Sequence, residues 1–174
     1  MIVRDAVAAD VAAITAIYND VIDTSDAIWI DEHVTVDDRL AWFADQVDSG
    51  LPVVVAVTEA DEVIGYGSLA PFRSKAGYWP TVENTIHIAV GNRGRGVGQA
   101  ILDTLIARAA SLGKRVMVAG SDGGNLGSIR FHQRNGFVEV ARMPGIGRKQ
   151  GRPVDLVLLQ LDLPETTSNG EKSR

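Results

Sequence analysis

Residues 91–100, Gly91-Asn92-Arg93-Gly94-Arg95-Gly96-Val97-Gly98-Gln99-Ala100, place four glycines and two arginines between two apolar segments. Before them Val82 to Val90 is rich in β-branched residues and predicts a strand. After them Val97 to Leu112 carries Ile101, Leu102, Leu105 and Ile106 at helical spacing, with Gly113 as the C-terminal stop. A strand feeding a bare turn that opens into a helix aims several backbone N–H groups, and the positive end of the helix dipole, at one spot. That spot favours phosphate. Glycine lets the backbone come close to the anion and take φ > 0, while Arg93 and Arg95 add charge.

Three phosphate loops compete for these residues. A Walker loop requires G-x-x-x-x-G-K-[ST], and the sequence has no Gly-Lys followed by Ser or Thr. A dinucleotide fingerprint requires G-x-G-x-x-G, but Gly94 and Gly96 are followed by Gln99 where the third glycine belongs. The pattern R-x-x-G-x-G is met by Arg93, Gly96 and Gly98. A plain strand-to-helix turn would use the same glycines, so the rest of the chain has to decide.

Working outward, Asp10 is placed to cap a helix through about Ile22, with Val11, Ile14, Ile17, Tyr18 and Val21 on one face. A second helix is expected from Val36 to Val47, entered from Thr35, with Leu40, Phe43 and Val47 inward. Pro52 to Thr58 and Glu62 to Leu69 read as two antiparallel strands joined by a tight hairpin. Arg115 to Ala119 reads as a short apolar strand and Ser128 to Asn135 as a helix closed by Gly136. Phe137 to Ala141 and Pro153 to Leu161 are the expected last strands. The fold class is mixed α/β, one domain over residues 1–163, with 164–174 a polar tail expected to be disordered.

Composition narrows the chemistry. In 174 residues there are 17 basic and 22 acidic side chains, a net charge of -5, which disfavours nucleic acid and anionic membranes as partners. No run approaches the length of a membrane span and the N-terminus lacks the pattern of a secretory signal, so a cytoplasmic protein is expected. The absence of cysteine rules out disulfides and a thiol nucleophile. His33 and His87 have no metal-ligand spacing, and no metal site is expected.

A second motif decides the loop. Asn125-Leu-Gly-Ser-Ile-Arg-Phe-His132-Gln-Arg-Asn-Gly136-Phe137, together with Arg93-x-x-Gly96-x-Gly98, resembles the two signatures of the GNAT superfamily of N-acetyltransferases, whose loop cradles acetyl-CoA. The resemblance runs from about residue 2 to residue 163. It is closest to the phosphinothricin and methionine sulfoximine/methionine sulfone N-acetyltransferase branch, through Ile17-Tyr18-Asn19, Ala27-Ile28-Trp29, Arg39-Leu-Ala-Trp42-Phe43, Thr81-Val82-Glu83, Val116-Met-Val-Ala-Gly120, Gly147-Arg-Lys149 and Asp155-Leu156.

The resemblance implies a GNAT fold, a central, mostly antiparallel sheet flanked by helices. It implies acetyl-CoA as co-substrate, and a homodimer with its pocket near the interface. Acetyl-CoA would be held by Arg93, Gly94, Arg95, Gly96, Val97, Gly98 and Asn125, with a backbone donor near Ile88, Ala89 or Val90 polarising the acetyl oxygen. Asn125 equally suits the N-cap of the following helix. An ammonium has no lone pair, so the acceptor amine needs a base, and Glu83 matches the family position for it. His132 stands where many relatives carry a tyrosine, as a proton donor to the departing thiolate or as a cofactor or packing contact. Trp29, Arg73 and Lys75 are the candidate substrate contacts, Trp29 being as readily a core residue.

The chain also departs from the branch. Trp79-Pro80 stand where relatives carry a second arginine, His87 where they have tyrosine, and Gln150 and Pro153 where they have Phe and Trp. The implied activity is acetylation of the α-amine of a small amino acid or analogue. Two rivals remain open: a GNAT enzyme for another amine, and a non-catalytic CoA-binding sensor.

Overall fold

The structure, a computed structural model, describes residues 1–165. The expected tail at 164–174 therefore falls, apart from Pro164 and Glu165, outside the described residues. The elements run β1 (Ile2–Asp5), α1 (Val11–Thr24), α2 (Val36–Ser49), β2 (Val53–Val57), β3 (Val63–Pro71), β4 (Thr81–Ile88), α3 (Val97–Ser111), β5 (Val116–Asp122), α4 (Leu126–Arg134), β6 (Val138–Lys149) and β7 (Arg152–Asp162). They form one seven-stranded sheet in the order β1-β2-β3-β4-β5-β7-β6. Every pairing is antiparallel except β4 with β5.

Alternation along β2 sorts the core into two layers. Val54 and Ala56 face a cluster with Ile101, Leu102 and Leu105 of α3 and Ile129 of α4. Val53, Val55 and Val57 face Ile14 and Ile17 of α1, with Trp42 and Phe43 of α2 packed alongside. The helices thus cover both faces: α3 and α4 on one, α1 and α2 on the other.

Three expectations need correction. The inward face of α2 is not Leu40, Phe43 and Val47, because Leu40 and Val47 are 37% and 61% exposed. Arg39 and Gln46 are buried instead. Gln46 Nε2 donates to the Leu69 carbonyl at 2.8 Å, and the Arg39 guanidinium stacks 3.7 Å from the Trp42 ring centre and 4.5 Å from that of Tyr18. Asp10 makes no side-chain cap on α1. It accepts from Val7 N and Arg4 ahead of it, closing a short 3₁₀ turn. Finally, β6 runs on past Ala141 to Lys149, its register shifting between Met143 and Gly147 around Pro144. An edge strand tolerates a proline at such a bulge.

Candidate active site

Strands β4 and β5 pair over four rungs, from Thr81 with Val116 to Asn84 with Ala119, and then part. Beyond that point β4 stays with β3 as far as Ile88, and β5 stays with β7 as far as Asp122. The sheet opens between them. A cavity of about 990 Å³ passes through the opening, lined by Tyr18, Val21, Ser25, Ala27 and Ile28 from the α1 side and by Arg93, Gly94, Gly96, Gly98, Asn125 and His132 from the α3/α4 side.

The edge of this gap is an unpaired backbone. Ala89 N donates to Ile64 O at 3.0 Å, so the residues of β4 that alternate with it, Ile86 and Ile88, aim their N–H and C=O groups away from β3 and into the gap. Of the backbone donors expected near Ile88, Ala89 and Val90, the one at Ala89 is spent on Ile64. The one at Ile88 faces the gap. Val90 is 65% exposed and neither it nor Ala89 lines the cavity.

The glycine loop closes one end. Gly91, Gly94 and Gly96 have φ of 83°, 75° and 82°, values that a side chain disfavours. Gly96 is the N-cap of α3 without a side-chain cap bond, and the first helical bond is Ala100 N to Gly96 O at 3.0 Å. The N–H groups of Val97, Gly98 and Gln99 precede it, the donors a phosphate takes at a helix start. Arg93 lines the cavity, whereas Arg95 is exposed outside its lining. Val97 contributes its backbone only, since its side chain is 2% exposed in the core. Asn125 accepts from Ser128 N at 3.0 Å as the cap of α4, and it also lines the cavity.

Glu83 projects on the α1/α2 face at the apex of the gap. A Cβ on Gly120 of β5 would lie 2.9 Å from Glu83 Oε1, so the bare glycine leaves room for the carboxylate. Burial pushes the Glu83 carboxyl above the usual range, opposed by the charge of Arg73. On the opposite face His132, 7% exposed, lies with Nε2 3.2 Å from Asn84 Nδ2 and Nδ1 3.0 Å from Ser128 O. Burial holds its pKa below the ordinary value, against the Ser128 hydrogen bond. His87, beside Tyr66 and Tyr18, is pushed down to about 4 by burial and then by the charges of Arg39 and Arg93. Both shifts favour the neutral ring.

Trp29, Arg73 and Lys75 lie outside the lining of the cavity. Trp29 packs its ring over Gly147 of β6, where any Cβ would collide with it, and its Nε1 donates to Asp26 O at 2.9 Å. It braces the loop that carries Ala27 and Ile28. Arg73 lies against the Phe72 ring, 4.2 Å from its centre, close enough to Glu83 to act on its charge, and Lys75 is exposed beyond it. Sequence reasoning missed Asn84, Tyr18, Ser121 and Phe131 in the lining. An asparagine among Val82, Ile86 and Ile88 on the inward side of β4 was the one legible signal. Among the described residues no three His, Asp or Glu side chains are grouped to hold a metal, and no helix is long and apolar enough to cross a membrane.

A sheet parted beyond its parallel rungs, a glycine-rich helix start at one end of the gap and a carboxylate at its apex suit a transferase for acyl groups carried on a phosphorylated arm. Residues 14–137 match the acetyltransferase (GNAT) family model, and the chain belongs to that family. It is an acetyl-CoA-dependent N-acetyltransferase. The L-methionine sulfoximine/L-methionine sulfone acetyltransferase of Pseudomonas aeruginosa is 42% identical over 166 residues, covering 95% of this chain and 96% of its own. The phosphinothricin N-acetyltransferase of Alcaligenes faecalis is 37% identical over 157 residues, 88% of this chain and 78% of its own. An acetyltransferase from Salmonella typhimurium, solved with its cofactor acetyl-CoA, superposes with a TM-score of 0.90 at 42% identity and 98% coverage of both chains.

Proposed function

We propose that this enzyme acetylates the α-amine of a small amino acid or analogue, of the methionine sulfoximine, methionine sulfone or phosphinothricin type. The observation that carries the mechanism is Glu83, half-buried at the apex of the gap with its pKa raised. A carboxylate so placed is a better base than a solvated one, because its proton affinity lies closer to that of the amine it serves. The loop from Arg93 to Gly98 and Asn125 hold the phosphates of acetyl-CoA, the open edge at Ile86 and Ile88 takes its pantetheine arm, and the Ile88 N–H polarises the acetyl oxygen. Transfer is direct, since the chain has no cysteine to carry an acyl group.

The acceptor enters from the α1 side, among Tyr18, Val21, Ala27 and Ile28, an apolar wall suited to a methionine-like side chain. Arg73, with Lys75 beyond it, supplies positive charge at the rim beside Glu83, which suits the acceptor's carboxylate and opposes a polycation. The protein works in the cytoplasm as a homodimer. Apolar side chains exposed along the edge strand β6, among them Val140 and Ile146, both 55% exposed, support a second copy there. A sedimentation run giving 18.6 kDa instead of twice that mass removes the dimer.

The test of the acceptor is CoA-thiol release with methionine sulfoximine, methionine sulfone, phosphinothricin, ordinary amino acids, a polyamine and an aminoglycoside. Turnover confined to the amino acid analogues is expected. Preference for the polyamine or aminoglycoside overturns the acceptor class, and silence on every amine with acetyl-CoA bound points to a sensor.

A further inference from the structure

Asn84 forms the last rung between β4 and β5, so its side chain stands where the gap opens, on the α3/α4 face opposite Glu83. It is 7% exposed and lines the cavity. Its Oδ1 is buried and has no partner among the described residues. The partner of its Nδ2 fixes which way the amide faces. His132 Nδ1 lies 3.0 Å from the Ser128 carbonyl, and a carbonyl only accepts, so Nδ1 carries the single proton of the neutral ring. Phe131 and Phe137 flank that ring at 5.1 and 5.0 Å between centres, surroundings that disfavour a charged imidazolium.

His132 Nε2 is therefore a bare lone pair, and Asn84 must turn its NH₂ toward it. One amide has two ends. With the NH₂ committed to His132, Oδ1 is left a buried acceptor without a donor, on a residue that lines the cavity.

We propose that Asn84 is a positioning and binding residue: it holds His132 as the Nδ1–H tautomer, so that His132 yields no proton from Nε2, and it offers Oδ1 to an N–H of the acyl-CoA arm or to the S–H of product CoA. This rests on the acetyl-CoA reading of the cavity. The proton balance closes without His132. The acceptor arrives as an ammonium and Glu83 takes one of its protons. The N–C bond then forms as the C–S bond breaks, and the amine's second proton reaches the departing sulfur through solvent.

Nitrogen-15 NMR of histidine-labelled enzyme tests the first half, with His132→Gln assigning the signal among the three histidines. At neutral pH His132 is expected with a protonated Nδ1 and an unprotonated Nε2. Asn84→Asp, which offers acceptors only, should place a proton on Nε2. Calorimetry tests the second half, with CoA and with desulfo-CoA, which lacks the thiol. Asn84→Leu should weaken binding about three- to tenfold, the worth of one neutral hydrogen bond. Equal weakening for both ligands identifies the arm's N–H as the donor; weakening for CoA alone identifies the thiol. An Nε2–H tautomer in the wild-type enzyme, or a folded Asn84→Leu protein that binds both ligands at wild-type affinity, overturns the proposal. The tautomer measurement needs no variant at Asn84, so it stands even if Asn84→Leu does not fold. No acceptor amine is used, so failure here leaves the choice of acceptor untouched.

Discussion

Gly120→Ala should disable the base without touching it. The added Cβ would sit 2.9 Å from Glu83 Oε1, so the carboxylate has to move by about 0.5 Å to reach ordinary contact. Gly120 is not among the positive-φ glycines, so alanine fits the backbone, and it removes the entropic penalty of glycine within a strand. Stability should hold or rise. Misplacement of a reacting group by about 1 Å costs on the order of 100-fold, and half that distance on a logarithmic scale gives about tenfold in kcat. Steady-state CoA-thiol release at saturating acetyl-CoA reads this directly. A double-mutant cycle isolates the cause: with Glu83→Gln already present, Gly120→Ala should add less than about twofold, because the group it displaces no longer acts. Wild-type kcat in Gly120→Ala, or an undiminished tenfold loss in the Glu83→Gln background, would refute the idea that this glycine exists to seat the carboxylate.

Glu83→Gln itself should lower kcat by about 10²–10⁴ while acetyl-CoA still binds, and the rise of kcat/KM with pH through a raised carboxyl pKa should disappear with it. His87 gives a stability signature in acid. Its pKa is about 4 in the folded protein against an ordinary value of 6.5, so the unfolded chain takes up a proton first. Urea titrations should show stability falling by at most about 3 kcal/mol between pH 6.5 and 4, and His87→Phe should flatten that loss. Gln46→Leu leaves the Leu69 carbonyl without its buried donor and should cost about 1–3 kcal/mol by chemical denaturation; a neutral result would mean that water replaces the amide.

What the sequence conveys depends on whether a residue's role is local. The loop at 91–98 was legible because positive φ and close backbone approach leave glycine as the fitting residue, and the helix after it carries its own period. Strand β1 was not legible: Ile-Val-Arg-Asp has no pattern of its own, and the pairing of Ile2 to Asp5 with Val57 to Val54 makes it a strand. The face of α2 was misjudged for a related reason, since a guanidinium between two aromatic rings and an amide capping a distant carbonyl satisfy polar groups that hydropathy assigns to water. In the site, Glu83 and Asn125 could be placed by motif. Asn84 could not, because its meaning depends on α4 landing His132 beside it. Trp29 could be core or pocket wall from sequence, and the bare Cα of Gly147, remote in the chain, brought the ring to rest against β6.

The parting of β4 and β5 turns the sheet into a partition with a slot cut in it. On the proposed reading the nucleotide-bearing substrate takes one side of that partition and the amine the other, and they meet only within the slot's thickness. That placement predicts that neither substrate obstructs the other, so initial rates with both substrates varied should show no compulsory order of binding.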